Sequence, residues 1–253
     1  MHALFAKAPV LNWLALPVSL AIHLARQNIE LPSKPLIFTQ LDIFCDTRQD
    51  KKQNDMAYQA ALETALAHFH PVYLLAQLSL PAAPLTPSML DTLDTHIARV
   101  QAHNRQFSGA LLLTMPYPNM QEWINKEQAF EAVAHVVTDF AIETGCKLAL
   151  NLTHLFMVCQ SHKLRPRAFI EALKAETIGL IEMGDGIEAI CHEVWVLYTH
   201  LLEQIGPHPT LIGTYRGKLS LASLLADKQR ADDRLNAIRT LGPQLGASHV
   251  IFE

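Results

Sequence analysis

Short apolar runs alternate with longer amphipathic segments along most of this chain, and this alternation constrains the fold more than any other feature. Runs such as 109–115 (GALLLTM) predict buried strands, whereas apolar residues recurring every three or four positions predict helices. Strict alternation favours parallel strands joined by helical crossovers. The predicted strands are 36–44, 72–80, 109–115, 147–157, 177–183 and 209–213, and the predicted helices are 55–69, one opening at Thr86-Pro87, 121–144, 166–176, 188–205 and 218–241.

Six strand–helix units leave two architectures open, a doubly wound open sheet and a closed (β/α)8 barrel. No GxGxxG or GxxxxGK sequence follows a predicted strand, which weakens the nucleotide-binding open sheets. A chain of 253 residues suits one barrel. We predict an α/β fold, a (β/α)8 TIM-barrel-like single domain over residues 1–253. A barrel needs two more units, for which residues 1–33 and 248–252 are the available sources.

Composition excludes several classes of protein. Half of the residues are hydrophobic and the net charge is only −4, so disorder is excluded as the main state. The isoelectric point near 6.3 gives no electrostatic reason to expect nucleic-acid binding. The apolar stretch 8–25 is interrupted by Asn12, Pro17 and His23, so we expect a packed helix opening at Pro17 and no membrane span. The four cysteines lack CxxC spacing, which is typical of reduced thiols in a cytoplasmic protein.

Several motifs in the second half of the chain occur in a recognisable order. Residues 143–151 read ETGCKLALN, Ser161-His162 precedes Pro166, and residues 194–198 and 206–212 read VWVLY and GPHPTLI. In order and spacing these motifs resemble the multinuclear non-heme iron oxidases, a family of xylose-isomerase-like TIM barrels. The likeness covers about residues 35–230, and the family's first strand has no clear counterpart. The resemblance therefore implies a barrel that is irregular or incomplete at its N-terminal strand.

The resemblance also implies an iron-dependent chemistry, which requires particular ligand residues. Members of the family use iron ions at the C-terminal mouth of the barrel to oxidise cysteine-containing peptides, often with a peptide-binding partner protein. Their ligands are carboxylates and imidazoles at strand ends. Here His162 keeps a polar residue of the family, and Glu182 stands at a histidine position. The other ligand positions fall on Thr39, Gln77, Thr114, Asn151, Gly186, Gly213 and Tyr215.

Threonine, asparagine, glycine and tyrosine cannot replace a set of carboxylates that balances the charge of several iron ions. We therefore expect neither a metal nor another cofactor. The favoured function is that of a non-catalytic barrel, a pseudoenzyme that binds a peptide, a small ligand or a protein partner. Whether the chain is an enzyme stays open. One alternative is a metal-independent or single-metal isomerase or hydrolase acting on a small sugar-like or phosphorylated substrate, and a second is the family's iron-dependent oxidase.

The candidate ligand-pocket residues are the polar groups near the predicted strand ends, because the C-terminal strand ends hold the site of a TIM barrel. One alternative within this set is a single metal bound by imidazoles and carboxylates, and another is an anion bound where the last helix opens at residues 215–218. Glu182 is expected to be solvated, and Cys159 and Cys191 are expected to be buried and inert. The candidates are Asn151, His154, His162, Glu182, Asp185, Tyr215 and Arg216.

Overall fold

The computed structural model describes residues 14–31, 35–41, 52–77, 97–98, 100–101, 110–114, 125–184, 189–213 and 221–241. The chain's contacts divide it into two compact units, one made of residues 1–79, 87–116 and 144–146 and the other of residues 80–86, 117–143 and 147–253. The prediction of a single domain over residues 1–253 stays a prediction. None of the helices within the described ranges is both long and apolar enough to cross a membrane.

The described residues of the first unit form four parallel strands that pair in chain order. Strand β1 pairs with β2 from Leu14 opposite Leu36, and β3 pairs with β4 from Tyr73 opposite Ala110. Strand β1 confirms that residues 1–33 contribute a strand to the sheet. The elements in order are β1 (Leu14–Pro17), helix α1 (Val18–Arg26), β2 (Leu36–Leu41), α2 (Lys52–Phe69), β3 (Tyr73–Gln77) and β4 (Ala110–Thr114).

Helix α1 begins where the sequence predicts. Pro17 occupies its N-cap position with φ −56°, the value that the proline ring imposes, and Val18 is the first helical residue. One face of the helix is buried, which accounts for the apolar stretch without a membrane. The buried residues are Val18, Ala21, Ile22 and Leu24.

The described residues of the second unit form three parallel strands, and large aromatic side chains of its helices are buried. Phe130 and Phe169 stack with ring centroids 4.4 Å apart, and Trp195 meets Tyr198 edge-on at 5.9 Å. All four rings are buried. The elements in order are α3 (Lys126–Thr144), β5 (Lys147–Asn151), α4 (Leu152–His162), α5 (Pro166–Ala172), a 3-10 turn (Ala175–Thr177), β6 (Ile178–Met183), α6 (His192–Ile205), β7 (Thr210–Ile212) and α7 (Leu221–Leu241).

The prediction of a strand over 147–157 is wrong in its second half. The strand ends at Asn151, whose side chain accepts a hydrogen bond from the backbone N–H of His154 and so starts helix α4. Leu152, Leu155 and Cys159 are buried at helical spacing. A run of leucines separated by polar residues fits a strand as well as a helix, and the cap decides between them.

Other predicted boundaries shift by a few residues. Helix α6 begins at His192 and not at 188, because Cys191 is extended (φ −68°, ψ 162°). Helix α5 ends at Ala172 and not at 176, because Leu173 is extended. Helix α3 ends as predicted, with Gly145 in the left-handed region at φ +69°. The predicted segment 248–252 and most of the helix after Pro87 lie outside the described residues.

Candidate functional site

The carboxyl ends of the three strands in the second unit form the candidate site. Asn151 is the last residue of β5, Glu182 is the next-to-last residue of β6, and Gly213 directly follows β7. In the parallel register Asn151 pairs with Glu182, and Glu182 pairs with Leu211 of β7. Residues paired in this way project from the same face of a sheet. We call this group, together with Thr153, His154 and Gly184, the β5–β7 edge.

Glu182 is buried, with only 4% of its surface exposed, so the expectation of a solvated carboxylate is wrong. The apolar residues of β6 before it carry the strand through the interior, and Met183 after it is buried as well. Glu182 interacts with other groups of the chain, as a carboxyl group withdrawn from water requires. The β5–β7 edge thus contains a buried carboxyl group that has a partner within the chain.

Backbone contacts hold the loops at this edge close together. The N–H of Gly184 donates to the hydroxyl of Thr153 at 2.8 Å, and the N–H of Gly213 donates to the carbonyl of Met183 at 3.1 Å. Gly184 has φ +90°, and a Cβ at this position would lie 2.9 Å from the Gly213 carbonyl oxygen. Only glycine fits both this conformation and this approach, so a side chain at residue 184 would strain the end of β6.

His154 lies in the first turn of α4, three residues after the N-cap Asn151. Partial burial of its ring lowers the pKa of the imidazole below its ordinary value, so His154 is neutral at pH 7. A neutral imidazole presents one N–H donor and one acceptor nitrogen. His154 therefore adds hydrogen-bonding capacity to the edge without adding positive charge.

The structure does not bring His162 to the same place. His162 ends α4, eight residues after His154, which corresponds to about 12 Å of helix rise. Two imidazoles at that spacing cannot bind one metal ion together. Asp185, Tyr215 and Arg216 lie outside the described residues, as does the predicted anion site at 215–218. Among the residues that the structure does describe, no group of three or more histidine, cysteine, aspartate or glutamate side chains is arranged to hold a metal.

Where the resemblance places the family's ligands, the side chains of this chain do not fit a multinuclear iron centre. Thr39 on β2 is buried, Thr114 ends β4, and Gly213 follows β7 without a side chain to donate. The amide oxygen of Asn151 accepts the backbone N–H of His154 at 2.9 Å. Iron ions in such a centre need hard anionic oxygens and imidazoles, and these positions supply hydroxyls and an amide.

The cysteines differ from one another. Burial raises the pKa of the Cys159 thiol to about 12, and it raises the pKa of Cys146 as well, so both are inert at neutral pH. The prediction of a buried thiol is confirmed for Cys159 and wrong for Cys191. Cys191 is exposed because it precedes the first turn of α6 and does not belong to its packed face.

Sequence reasoning did not find two members of the edge, Thr153 and Gly184. Thr153 joins the edge through its hydroxyl, which accepts the N–H of Gly184, and no local sequence pattern indicates a contact between residues 31 positions apart. Gly184 carried a usable signal, since a glycine directly after an apolar strand often marks a positive φ or a close backbone approach.

The fold class is confirmed by similarity to solved structures. A xylose isomerase domain containing protein from Salmonella typhimurium LT2 matches with a TM-score of 0.54 and 12% identity over 87% of this chain and 81% of that one. The IOLI protein, solved with a zinc atom bound, matches with a TM-score of 0.52 and 13% identity over 86% and 82% of the two chains. The chain has an α/β fold of the xylose isomerase-like TIM-barrel class.

The family is shown by a sequence match over residues 75–236 to the model of "RiPP precursor modification enzyme MbnB/TglH/ChrH". RiPPs are ribosomally synthesised and post-translationally modified peptides. This chain belongs to that family, and the match confirms the resemblance predicted from the sequence.

Curated relatives are similar over part of their length. The UPF0276 protein of Caulobacter sp. (strain K31) is 32% identical over an alignment of 116 residues that covers 39% of this chain and 42% of the relative. The UPF0276 protein of Paraburkholderia phytofirmans is 30% identical over an alignment of 145 residues that covers 51% of this chain and 45% of the relative. The chain thus spans less than half the length of these relatives.

Proposed function

We propose that this chain is a non-catalytic member of the RiPP precursor modification enzyme family, one that binds a peptide or protein partner without oxidising it. The proposal rests on the side chains at the positions where the resemblance places the family's iron ligands. Thr39, Thr114 and Asn151 are uncharged, and Gly213 has no side chain. Loss of a ligand or of its supporting contact typically costs about 10–100-fold in metal affinity. Several losses together leave no basis for a tight multinuclear site.

The residues that match the family in α6 and β7 support the same proposal, because their contacts are structural. Trp195 and Tyr198 are buried in the core of the second unit, and the Tyr198 hydroxyl lies 2.9 Å from the hydroxyl of Thr210. Thr210 belongs to the GPHPTLI segment that enters β7. The motifs that this chain shares with the family therefore hold helix and strand together and do not require iron.

Iron content is the direct test. The full chain is expressed in iron-supplemented medium, purified without chelator, and measured by elemental analysis and by absorption in air. A family member with carboxylates and imidazoles at the ligand positions, prepared in parallel, shows that the medium loads iron. We expect well below one iron per chain. Two or more irons per chain, lost in Asn151→Ala or His162→Ala, would restore the oxidase hypothesis.

A second measurement tests the binding half of the proposal. If a short cysteine-containing peptide is encoded beside the gene, it is incubated with the chain in air, and both affinity and peptide mass are recorded. We expect saturable binding with the peptide mass unchanged. A change in peptide mass beyond that of the same peptide incubated in air without the chain contradicts the non-catalytic assignment, and the absence of binding contradicts the assigned ligand class.

A further inference from the structure

The outer face of helix α4 has an unusual composition for a surface helix. None of its eleven residues, Leu152–His162, is an aspartate, glutamate, lysine or arginine. Met157 in the middle of the helix is 48% exposed, and its neighbours Phe156 and Val158 are half-buried. The helix therefore presents apolar surface to solvent at its centre. The exposed residues recur at helical spacing and are His154, Met157, Gln160 and Ser161.

Other helices of the same unit cover their outer faces with charge. On α3 the exposed Ile142 lies beside Asp139 and Glu143, and α7 exposes Asp233 and Arg234. Charged residues on the face opposite the core are the ordinary pattern for a surface helix. Helix α4 departs from that pattern, and exposed apolar surface of this kind often marks a site of protein–protein contact.

Opposite charges lie at the two ends of this face. Helix α4 packs against α6, and each of them begins near the carboxyl end of a strand in the parallel sheet and leads back toward the amino end of the next. Glu193, in the first turn of α6, is an exposed anion at the carboxyl end. Lys163, the C-cap of α4, is an exposed cation at the amino end. The uncharged centre of α4 thus lies between an anion and a cation.

This distribution of charge fits a second copy of the chain. Residues near a two-fold axis meet their own counterparts, so the centre of a symmetric interface has to be free of like charges. An antiparallel pairing of two α4 helices satisfies this condition at Met157, and it directs the Lys163 end of one copy toward the Glu193 end of the other. The net charge of −4 on each chain opposes association through surfaces with an excess of acidic residues. A strongly acidic or basic partner would find no opposite charge at the centre of α4.

We propose that the outer face of α4 is a self-association surface, on which two copies pair antiparallel with Met157 near the two-fold axis and Lys163 of each copy facing Glu193 of the other. Pairing removes the exposed apolar surface of both helices from water. A face one helix wide is smaller than the roughly 800 Å² per partner of a stable interface, so the dimer is weak and depends on concentration. This inference does not depend on the proposed function, because iron and peptide play no part in it.

Sedimentation equilibrium of the full chain tests the surface, at protein concentrations from about 1 to 200 μM, a range that spans weak association. A reducing buffer prevents a disulfide between copies through the exposed Cys191. We expect the weight-average mass to rise with concentration from 28.2 kDa toward twice that value. This measurement uses the unaltered chain, so it does not depend on any variant folding well.

Two matched variants localise the contact. Met157→Lys places two like charges beside the two-fold axis, and the association constant is expected to fall on the order of tenfold or more. Ile142→Lys makes the same change of charge at an equally exposed apolar residue of α3 and should leave association unchanged. Equal association constants for the two variants overturn the assignment of the surface to α4.

A charge exchange tests the antiparallel orientation. Lys163→Glu and Glu193→Lys, each made alone, bring like charges together and should weaken association on the order of threefold or more. The double variant restores opposite charges across the interface and should associate about as well as the unaltered chain. A double variant that associates no better than the single variants overturns the antiparallel pairing. A mass that stays at 28.2 kDa at every concentration overturns self-association and leaves the α4 face to a different protein.

Discussion

Helix α6 and the β5–β7 edge belong to the same unit and differ in what they keep of the family. In α6 the matched VWVLY motif places Trp195 and Tyr198 in the core, each in contact with the other. At the edge, Asn151 stands where the resemblance places a metal ligand of the family, and its amide oxygen caps α4. An asparagine caps a helix about as well as an aspartate does but provides no charge for a metal. The fold can therefore persist when the ligand chemistry is lost.

The largest loss of stability is expected from Trp195→Ala, which tests whether α6 stabilises the core through its packing. Trp195 is 1% exposed, and the Arg230 guanidinium lies 4.5 Å from its ring centroid. Its removal leaves a large cavity and should lower the free energy of unfolding by about 3–5 kcal/mol. Urea unfolding followed by far-ultraviolet circular dichroism measures it.

The matched control for this change is Val196→Ala, because Val196 is the next residue of α6 and is 38% exposed. Its cost should stay below about 1 kcal/mol. Trp195→Phe is expected to cost less than the alanine variant, since the indole N–H finds no hydrogen-bond partner in the described part of the chain. Equal losses in Trp195→Ala and Val196→Ala would show that α6 is not a packing element.

The next largest loss of stability is expected at the close backbone approach between Gly184 and Gly213. Gly184→Ala places a Cβ 2.9 Å from a backbone carbonyl oxygen and forces alanine to φ +90°. Strain of this kind typically costs about 1–3 kcal/mol. Gly206→Ala is the control, since it has φ +79° but nothing within 4 Å of the added carbon. Thermal unfolding of both should show the larger loss at Gly184, and the reverse order would contradict the close approach at the edge.

A smaller loss of stability distinguishes two roles of residue 151, the capping of α4 and the supply of a metal ligand. Asn151→Ala removes the cap of α4 and should destabilise the protein by about 1 kcal/mol. Asn151→Asp keeps the cap but places a second carboxyl group opposite Glu182, so any loss of stability in this variant reports that repulsion and not the loss of the cap, and a single restored carboxylate should not load iron. Urea unfolding and elemental analysis of the two variants give both answers. Iron retained by Asn151→Asp alone would mean that the edge is much nearer to a metal site than its side chains indicate.

The sequence predicts those helices and strands that local interactions determine, and it misses features that depend on tertiary packing. The alternation of apolar runs predicts parallel strands with helical crossovers, and Pro17 predicts the start of α1, because both signals are local. The end of β5 was missed, since KLALNLTHLFM fits a strand until the Asn151 cap is known. The missed burial of Glu182 has a tertiary cause, because packing decides whether a carboxylate after an apolar strand meets water.

The sequence predicts only those members of the candidate site that follow strand ends. Asn151, His154 and Glu182 follow strand ends in the sequence, and the structure places them at one edge. His162 was included on the strength of a motif, and helix geometry places it at the other end of α4. Thr153 and Gly184 enter the site through a hydrogen bond between residues 31 positions apart, which no local pattern encodes.

The smallest effect is a pH dependence that distinguishes a core thiol from an exposed one. Burial raises the pKa of Cys159 from 9.0 to about 12. As the pH rises past 9, the unfolded chain releases this proton while the folded chain keeps it, so unfolding becomes more favourable. The contribution is complete below pH 9 and is lost progressively toward pH 12.

Between pH 8 and pH 9.5 the expected loss from this thiol is about 0.8 kcal/mol in the free energy of unfolding. Cys159→Ala lowers stability at every pH, because it removes buried volume, and its curve should fall less steeply over this interval. Cys191→Ala, at an exposed thiol, should keep the slope of the unaltered chain. Urea unfolding at four pH values measures the three slopes. If the slope of Cys159→Ala equals that of the unaltered chain, Cys159 ionises as readily in the folded state as in the unfolded state, and α4 packs over it less closely than the structure indicates.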